Sequence, residues 1–381
     1  MRSGGSALGA LTVAGAWAGP VAGGQLVLLA KPFGGVLGVP GEVVGYIAFT
    51  ALALACVTGG LAARLELSLR GAGLAALLAG AAFALAGVTE HIVWFGAAVL
   101  AGGAATGPVI VIARRLSWGA PAALTTWHSA MAAGVPAAAG IAALAARAPH
   151  RGLLIAGILA IASASLTTSK NAGAQNIAGR VDTALPAART VLGYSAVGLV
   201  AGGAVLPTLH LLLFRWEAFA ADQAILLLLA AIPATVVVAL PGPEPGATAT
   251  LLLLAAGGPV LVATAPGRAS AAIGLAVTLA ATARAARGLD LMSSGAIGSS
   301  AFPGNTIRSP ALPTATVMIT VLAGLAGLGA VTVLDVWFGT GTALTLLAVP
   351  TALAAAAYRR LPRATAAPAP TGNPTLEGGT P

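Results

Sequence analysis

Apolar residues run through this chain in blocks rather than stripes, and most blocks are as long as the roughly 20 residues a helix needs to cross a bilayer core. On that spacing, runs at 7–30, 43–62, 71–89, 92–113, 121–146 and 152–168 predict six membrane helices. A more polar stretch at 169–189 interrupts the pattern. Six further runs follow at 190–214, 222–241, 248–265, 269–287, 312–334 and 336–358. The expectation is an all-α integral membrane protein of about twelve transmembrane helices in two six-helix bundles. The first bundle occupies 1–168, the linker 169–189 and the second bundle 190–361, before a Pro-, Gly- and Thr-rich tail at 362–381 with the composition of a disordered segment. Arg2 before an apolar run also fits a cleaved leader, but the run continues to Ala30, past the length of a leader's core.

Composition removes the soluble alternatives. Of 381 residues, 58% are hydrophobic and 8% charged, at a mean hydropathy of +0.94. A water-soluble domain carries roughly 25% charged residues to keep its surface wetted. The net charge of +9 does not point to nucleic acid, because the basic residues stand singly or in pairs between apolar runs. One cysteine, Cys56, excludes an intrachain disulfide, and no metal, haem or other cofactor spacing is present. No Gly-x-x-x-x-Gly-Lys-Ser/Thr phosphate loop occurs, so this chain alone is not expected to pump with ATP.

The loop charges set an orientation. With a cytoplasmic N-terminus, the inside loops hold Arg2, Arg64, Arg70, Arg114, Arg115, Lys170, Arg180, Arg189, Arg284, Arg287, Arg308, Arg359, Arg360 and Arg363. The outside loops hold Lys31, Arg147, Arg151, Arg215 and Arg268. That division of 14 against 5 follows the positive-inside rule and predicts two cytoplasmic termini in the cell inner membrane.

The turn between the second and third runs reads Gly59-Gly60-Leu61-Ala62-Ala63-Arg64-Leu65-Glu66-Leu67-Ser68-Leu69-Arg70. It resembles the signature Gly-x-Leu-Ala-Asp-Arg-x-Gly-Arg-Arg of the major facilitator superfamily, matching at Gly59, Leu61, Ala62 and Arg64. Ala63 stands at the acidic position, and Leu67 and Ser68 at the basic pair. Gly102-Gly103 through Gly107-Pro108 and Arg114-Arg115 resembles the family's fourth helix and its exit, and Gly134-Val135-Pro136 with Gly140 its fifth. The resemblance covers 43–146 by motif and the remainder by layout. It implies transport by alternating access, with a cytoplasmic gate at Gly59, Arg64, Glu66 and Arg70.

Ionisable and strongly polar groups inside lipid are expensive, so each is a functional candidate. Gln25, Thr125, Trp127, His128 and Tyr194 are the candidate cavity residues; Thr125, His128 and Ser129 share a helix face at i, i+3 and i+4. His128 either contacts substrate or bonds a neighbouring helix, Trp127 either lines the cavity or fills a packing gap, and Tyr194 falls near the inner mouth. Gly15, Gly19 and Gly23 form a small-residue stripe around Pro20, suited to close packing or to a hinge. No Asp or Glu lies at mid-membrane depth: Glu90, Asp222 and Asp335 fall near the outer interface and Asp290 near the inner one. Proton coupling, if the chain uses it, then falls to His128 or Glu90. The loop at 293–312 reads as a linker or a lid.

The function these observations support is secondary transport, export included, of a small hydrophobic or weakly polar organic molecule by a monomer in the lipid bilayer. A facilitator-like scaffold that assists another membrane protein is the alternative. Membrane enzymes fit worse, because no paired carboxylates, nucleophile set or metal cluster is evident.

Overall fold

The computed structural model describes residues 3–65, 67–118, 120–167, 187–240, 247–294 and 312–361. Glu66, the tail at 362–381, and most of the linker at 169–189 and of the 293–312 loop lie outside them.

The first crossing is a continuous helical run: α1 (Ser3–Ala16), a π turn (Trp17–Val21) and α2 (Ala22–Leu28). Pro20 lies within the π turn, which absorbs the backbone bond that proline removes. A short α3 (Ala30–Leu37) then packs beside the start of α4 (Gly41–Arg64). The first half continues through α5 (Leu69–Ala86), α6 (Ile92–Ser117), α7 (Pro121–Ala145) and α8 (Pro149–Ser165). The second half comprises α9 (Ala188–Trp216), α10 (Ala220–Ala239), α11 (Ala247–Ala263), α12 (Arg268–Ser293), α13 (Leu312–Phe338) and α14 (Thr340–Arg360). Among the described residues, ten helices are long and apolar enough to span a membrane. The two shorter ones, α8 and α11, have 17 residues each, about 25 Å of helix. With them the chain makes about twelve crossings.

Local chemistry sets several of the boundaries. Pro121 and Pro149 open α7 and α8, where a missing N–H costs nothing. Ser68 accepts from the Gly71 N–H to cap α5, and His91 Nδ1 accepts from the Val93 N–H to cap α6. Gly339, at φ 80°, turns the chain from α13 into α14.

Several ends depart from the apolar runs. The first run starts at Ser3 and stops at Leu28, with α3 as an unexpected addition. The α9 helix begins at Ala188, so Arg189 is helical rather than part of the linker. The α12 helix continues to Ser293, past the expected end at 287, and carries Asp290 on helix. The extensions at Ser3, Ala188 and Ser293 have one cause: a helix need not end where lipid ends, because its own hydrogen bonds hold it beyond the hydrocarbon core.

Packing repeats between the halves. In the first, α4 lies on α6 and α5 on α6 and α8; in the second, α10 lies on α12 and α11 on α12 and α14. The closest approach in the first half is at Gly107 of α6, where an added Cβ would overlap the Ala55 carbonyl and come within 2.6 Å of Thr58 Oγ1. The Thr58 hydroxyl donates across this contact to the Ala104 carbonyl at 2.7 Å. Gly15 and Gly19 meet Val109, Met131 and Ile110, and Gly134 of α7 meets the Pro20 ring, so the first crossing is wedged between α6 and α7. The halves meet chiefly where α7 packs on α10 and α12, and where α6 and α4 meet α13.

Replacing Gly107 by Val should therefore force α4 from α6 and destabilise the protein by about 1–3 kcal/mol. Gly257→Ala, at a site with no neighbour within 4 Å, should be silent. Thermal unfolding in detergent, followed by tryptophan fluorescence, measures both.

Candidate functional site

The chain runs up and down between two ends of the bundle. At the end where α1 begins and α14 finishes, α6 and α12 also finish while α7, α9 and α13 begin. Five side chains within two or three turns of those helix ends converge there. Asp290, on the last turn of α12, is fully buried. Arg114 of α6 donates from Nη2 to Asp290 Oδ1 at 2.7 Å and to Thr316 Oγ1 of α13 at 3.1 Å. His128 of α7 places Nε2 2.6 Å from Asp290 Oδ2. The Tyr194 hydroxyl of α9 donates to Asp290 Oδ1. Arg114 and His128 come from the first half, and Asp290, Tyr194 and Thr316 from the second. One carboxylate thus ties the halves together, with all four of its principal residues less than 9% exposed.

Two further arginines surround it. Arg287 stands one turn before Asp290, donates to the carbonyls of Val238 and Leu240, and reaches across to Thr125 Oγ1 at 3.1 Å. Arg284 donates to the carbonyls of Val237 and Leu240 at 2.6 and 2.7 Å. Both guanidinium groups sit at the C-terminal, negative end of α10 and satisfy carbonyls the helix leaves open. The Arg114 guanidinium also lies 5.6 Å from the centre of the Trp118 ring, within cation–π range.

Burying a charge is costly unless it is paired and hydrogen-bonded. Asp290 meets that condition through three donors on three helices, which holds only while the halves are in register. The arrangement can act as a latch: firm when assembled, and replaced by water contacts when the halves part.

Of the candidate cavity residues, His128 and Tyr194 meet on the same carboxylate, and Thr125 lies beside them through Arg287. Trp127 is 4% exposed and packs inside the first half with Leu11, Val109 and Ile112, apart from the latch. Gln25 lies towards the opposite end, fully buried, its Nε2 donating to the Ala138 carbonyl of α7 at 2.6 Å. It fastens the first crossing to α7 within the first half. Gly59 packs tightly on Gly107 and Val111 of α6. Arg64 and Arg70 are exposed, and neither forms an ion pair among the described residues. Arg115, at the exit of α6, donates to the Ala63 carbonyl at 3.0 Å and covers the end of α4 instead. Glu90 is exposed on the turn at the far end, distant from His128.

Arg114, Arg287, Asp290 and Thr316 did not stand out as site residues because they fall near the ends of apolar runs, where charge is ordinary. A signal was present in α12: Arg284, Arg287 and Asp290 recur every third residue, which keeps them on one helix face.

No family model matches the chain, and no curated protein matches it. Solved structures do. The human organic anion transporter MFSD10 (TETRAN) superposes with a TM-score of 0.70 at 15% identity, covering 94% of this chain and 99% of that one. The proton:xylose symporter XylE of the major facilitator superfamily, bound to 6-bromo-6-deoxy-D-glucose, superposes with a TM-score of 0.62 at 13% identity, covering 93% and 95%. The chain therefore has the major facilitator fold.

Asp290→Ala should cost about 3–5 kcal/mol by stranding the Arg114 charge. Arg114→Leu combined with Asp290→Leu should cost less than Asp290→Ala alone, because no charge is left buried without its partner. SDS-titrated unfolding in mixed micelles measures both; additive losses would contradict a shared ion pair.

Proposed function

We propose that this protein is a secondary transporter that carries a small organic molecule across the cell inner membrane by alternating access. The observation that carries the reading is the Asp290 latch. A buried carboxylate joins the two halves at one end of the bundle. At the other end, the ion pairs of the described residues, His210 with Asp335 and Arg268 with Asp222, each lie within the second half. There the halves meet instead through apolar packing of α2 and α7 on α10, so the two ends are joined by different means, ionic at one and apolar at the other, which alternating access would part in turn. The likeness in fold to an organic anion transporter and to a sugar symporter supports the same reading.

The division of basic residues between the loops expected from the sequence, 14 to 5, supports a cytoplasmic placing of the end where α6 and α12 finish. The latched mouth is then the cytoplasmic one. The protein works as a monomer, each copy holding its own two halves and latch. Proton coupling, where it operates, belongs to His128, which shares its carboxylate with Arg114, rather than to the exposed Glu90. The lack of charge inside the described spans supports a substrate whose body is hydrophobic or weakly polar. Arg114, Arg287 and Asp290 bring charge into the interface between the halves, so the substrate must also contend with a polar cytoplasmic gate.

Uptake into proteoliposomes, screened over lipophilic and polar organic solutes, tests the reading. Arg114→Gln should insert normally yet lose uptake tenfold or more, the equivalent of about 1.4 kcal/mol. His128→Ala should also change the uptake kinetics. A broad panel with no uptake, together with a membrane protein that co-purifies in fixed ratio, would replace transport with the scaffold role.

A further inference from the structure

Resting on the transporter reading, we propose that the substrate is an organic monocarboxylate that takes the place of Asp290 on Arg114 and His128 as the latched end opens. Asp290 shows what these residues bind. Its carboxylate is met by Arg114 Nη2 at 2.7 Å, by His128 Nε2 at 2.6 Å and by the Tyr194 hydroxyl. Such a set of donors is a carboxylate receptor. Two of its three members stay with the first half when the halves separate.

The receptor is also incompletely used. Arg114 spends Nη2 on both Asp290 and Thr316, while its Nε is buried with no partner. A guanidinium holds a free carboxylate best through two parallel N–H donors, a geometry that Asp290, tethered to α12, does not reach here. A mobile carboxylate can adopt it. Arg287 has a second buried, unpartnered Nε and reaches the same interface through Thr125. Charge points the same way: Arg114, Arg284 and Arg287 gather at this end, and Asp290 is the one carboxylate with them among the described residues.

One carboxylate is the number the receptor accommodates. Between the two ends of the bundle, the described parts of the spans are mainly apolar and carry no charged side chain. The remainder of the substrate is accordingly apolar. Asp290 acts as an internal competitor that closes the gate when no substrate is bound.

The test uses the full-length protein in detergent at constant ionic strength, with benzoate and hexanoate as probes and benzamide and hexanamide as uncharged matches. Both acids should raise the unfolding temperature saturably, and the amides and added chloride should not. Asp290→Asn keeps the side chain's shape and removes the competing charge, so it should lower the half-saturating acid concentration at least tenfold. Arg114→Gln should abolish the response. Equal effects of acids and amides, or an acid response unchanged in Arg114→Gln, would overturn the proposal. Should neither variant fold, the acid-against-amide comparison in the unaltered protein decides. Acid binding without uptake into proteoliposomes would remove the transporter reading and leave the site. Uptake of a neutral solute with no response to acids would do the reverse.

Discussion

At the end where α6 and α12 finish, the two halves are joined by a buried carboxylate. Asp290 is surrounded by Arg114, His128 and Tyr194, and no single helix supplies enough of its hydrogen bonds. An apolar contact of similar size would gain stability with every square ångström it buried. An ionic contact behaves differently, because the cost of drying the charges nearly cancels their attraction. When the halves part, water takes over what each partner gave the other. A seam held in this way closes in one register and opens without a large net cost, which suits a gate better than a permanent joint.

The halves themselves are built on the opposite principle. Within the first, Gly107 lets α6 approach the backbone of α4, and Thr58 bonds across to the Ala104 carbonyl. Gln25 fastens the first crossing to α7, and Pro20 lies against Gly134. Lipid gives helices no hydrophobic reason to associate, so close van der Waals contact and backbone-directed bonds carry their packing. Those contacts weaken with small separations, which favours each half moving as a unit. The side-chain pairs between halves reach further and can exchange partners. Rigid bodies joined by an exchangeable seam are what rocking motion requires.

The crossings were legible because bilayer thickness dictates the length of an apolar run, and the fold because two sets of six such runs flank a polar linker. The latch was legible only in part. His128 and Tyr194 stood out as polar groups on helices expected in lipid, but their meeting point, Asp290, lies 162 and 96 residues away along the chain. No local pattern encodes such a pairing. Asp290 and Arg114 also fall where apolar runs give out, so they passed for ordinary loop charge. The signature turn drew attention to Arg64 and Arg70, which face solvent, while the arginine that reaches the other half sits at the exit of the neighbouring helix. Gln25 reads as an expensive group to bury, and expense alone does not say whether the partner is a ligand or a carbonyl.

The three arginines around Asp290 explain why the latch sits where it does. The α10 helix ends in carbonyls that no intrahelical donor reaches, and Arg284 and Arg287 cover them. These guanidinium groups stay with the second half and leave a positive field beside the seam. Arg114 adds another from the first half. Without a carboxylate between them, the cations of the two halves would repel at this end, against the packing of α7 on α10 and α12 and of α6 on α13. Asp290 converts that repulsion into attraction by standing between the cations, one turn from Arg287 and in contact with Arg114. Neutralising or displacing that carboxylate therefore restores repulsion as well as removing a bond. The end where α6 and α12 finish is thus charged to open as soon as Asp290 is displaced, and the closed form persists through a side chain that a competing anion can imitate.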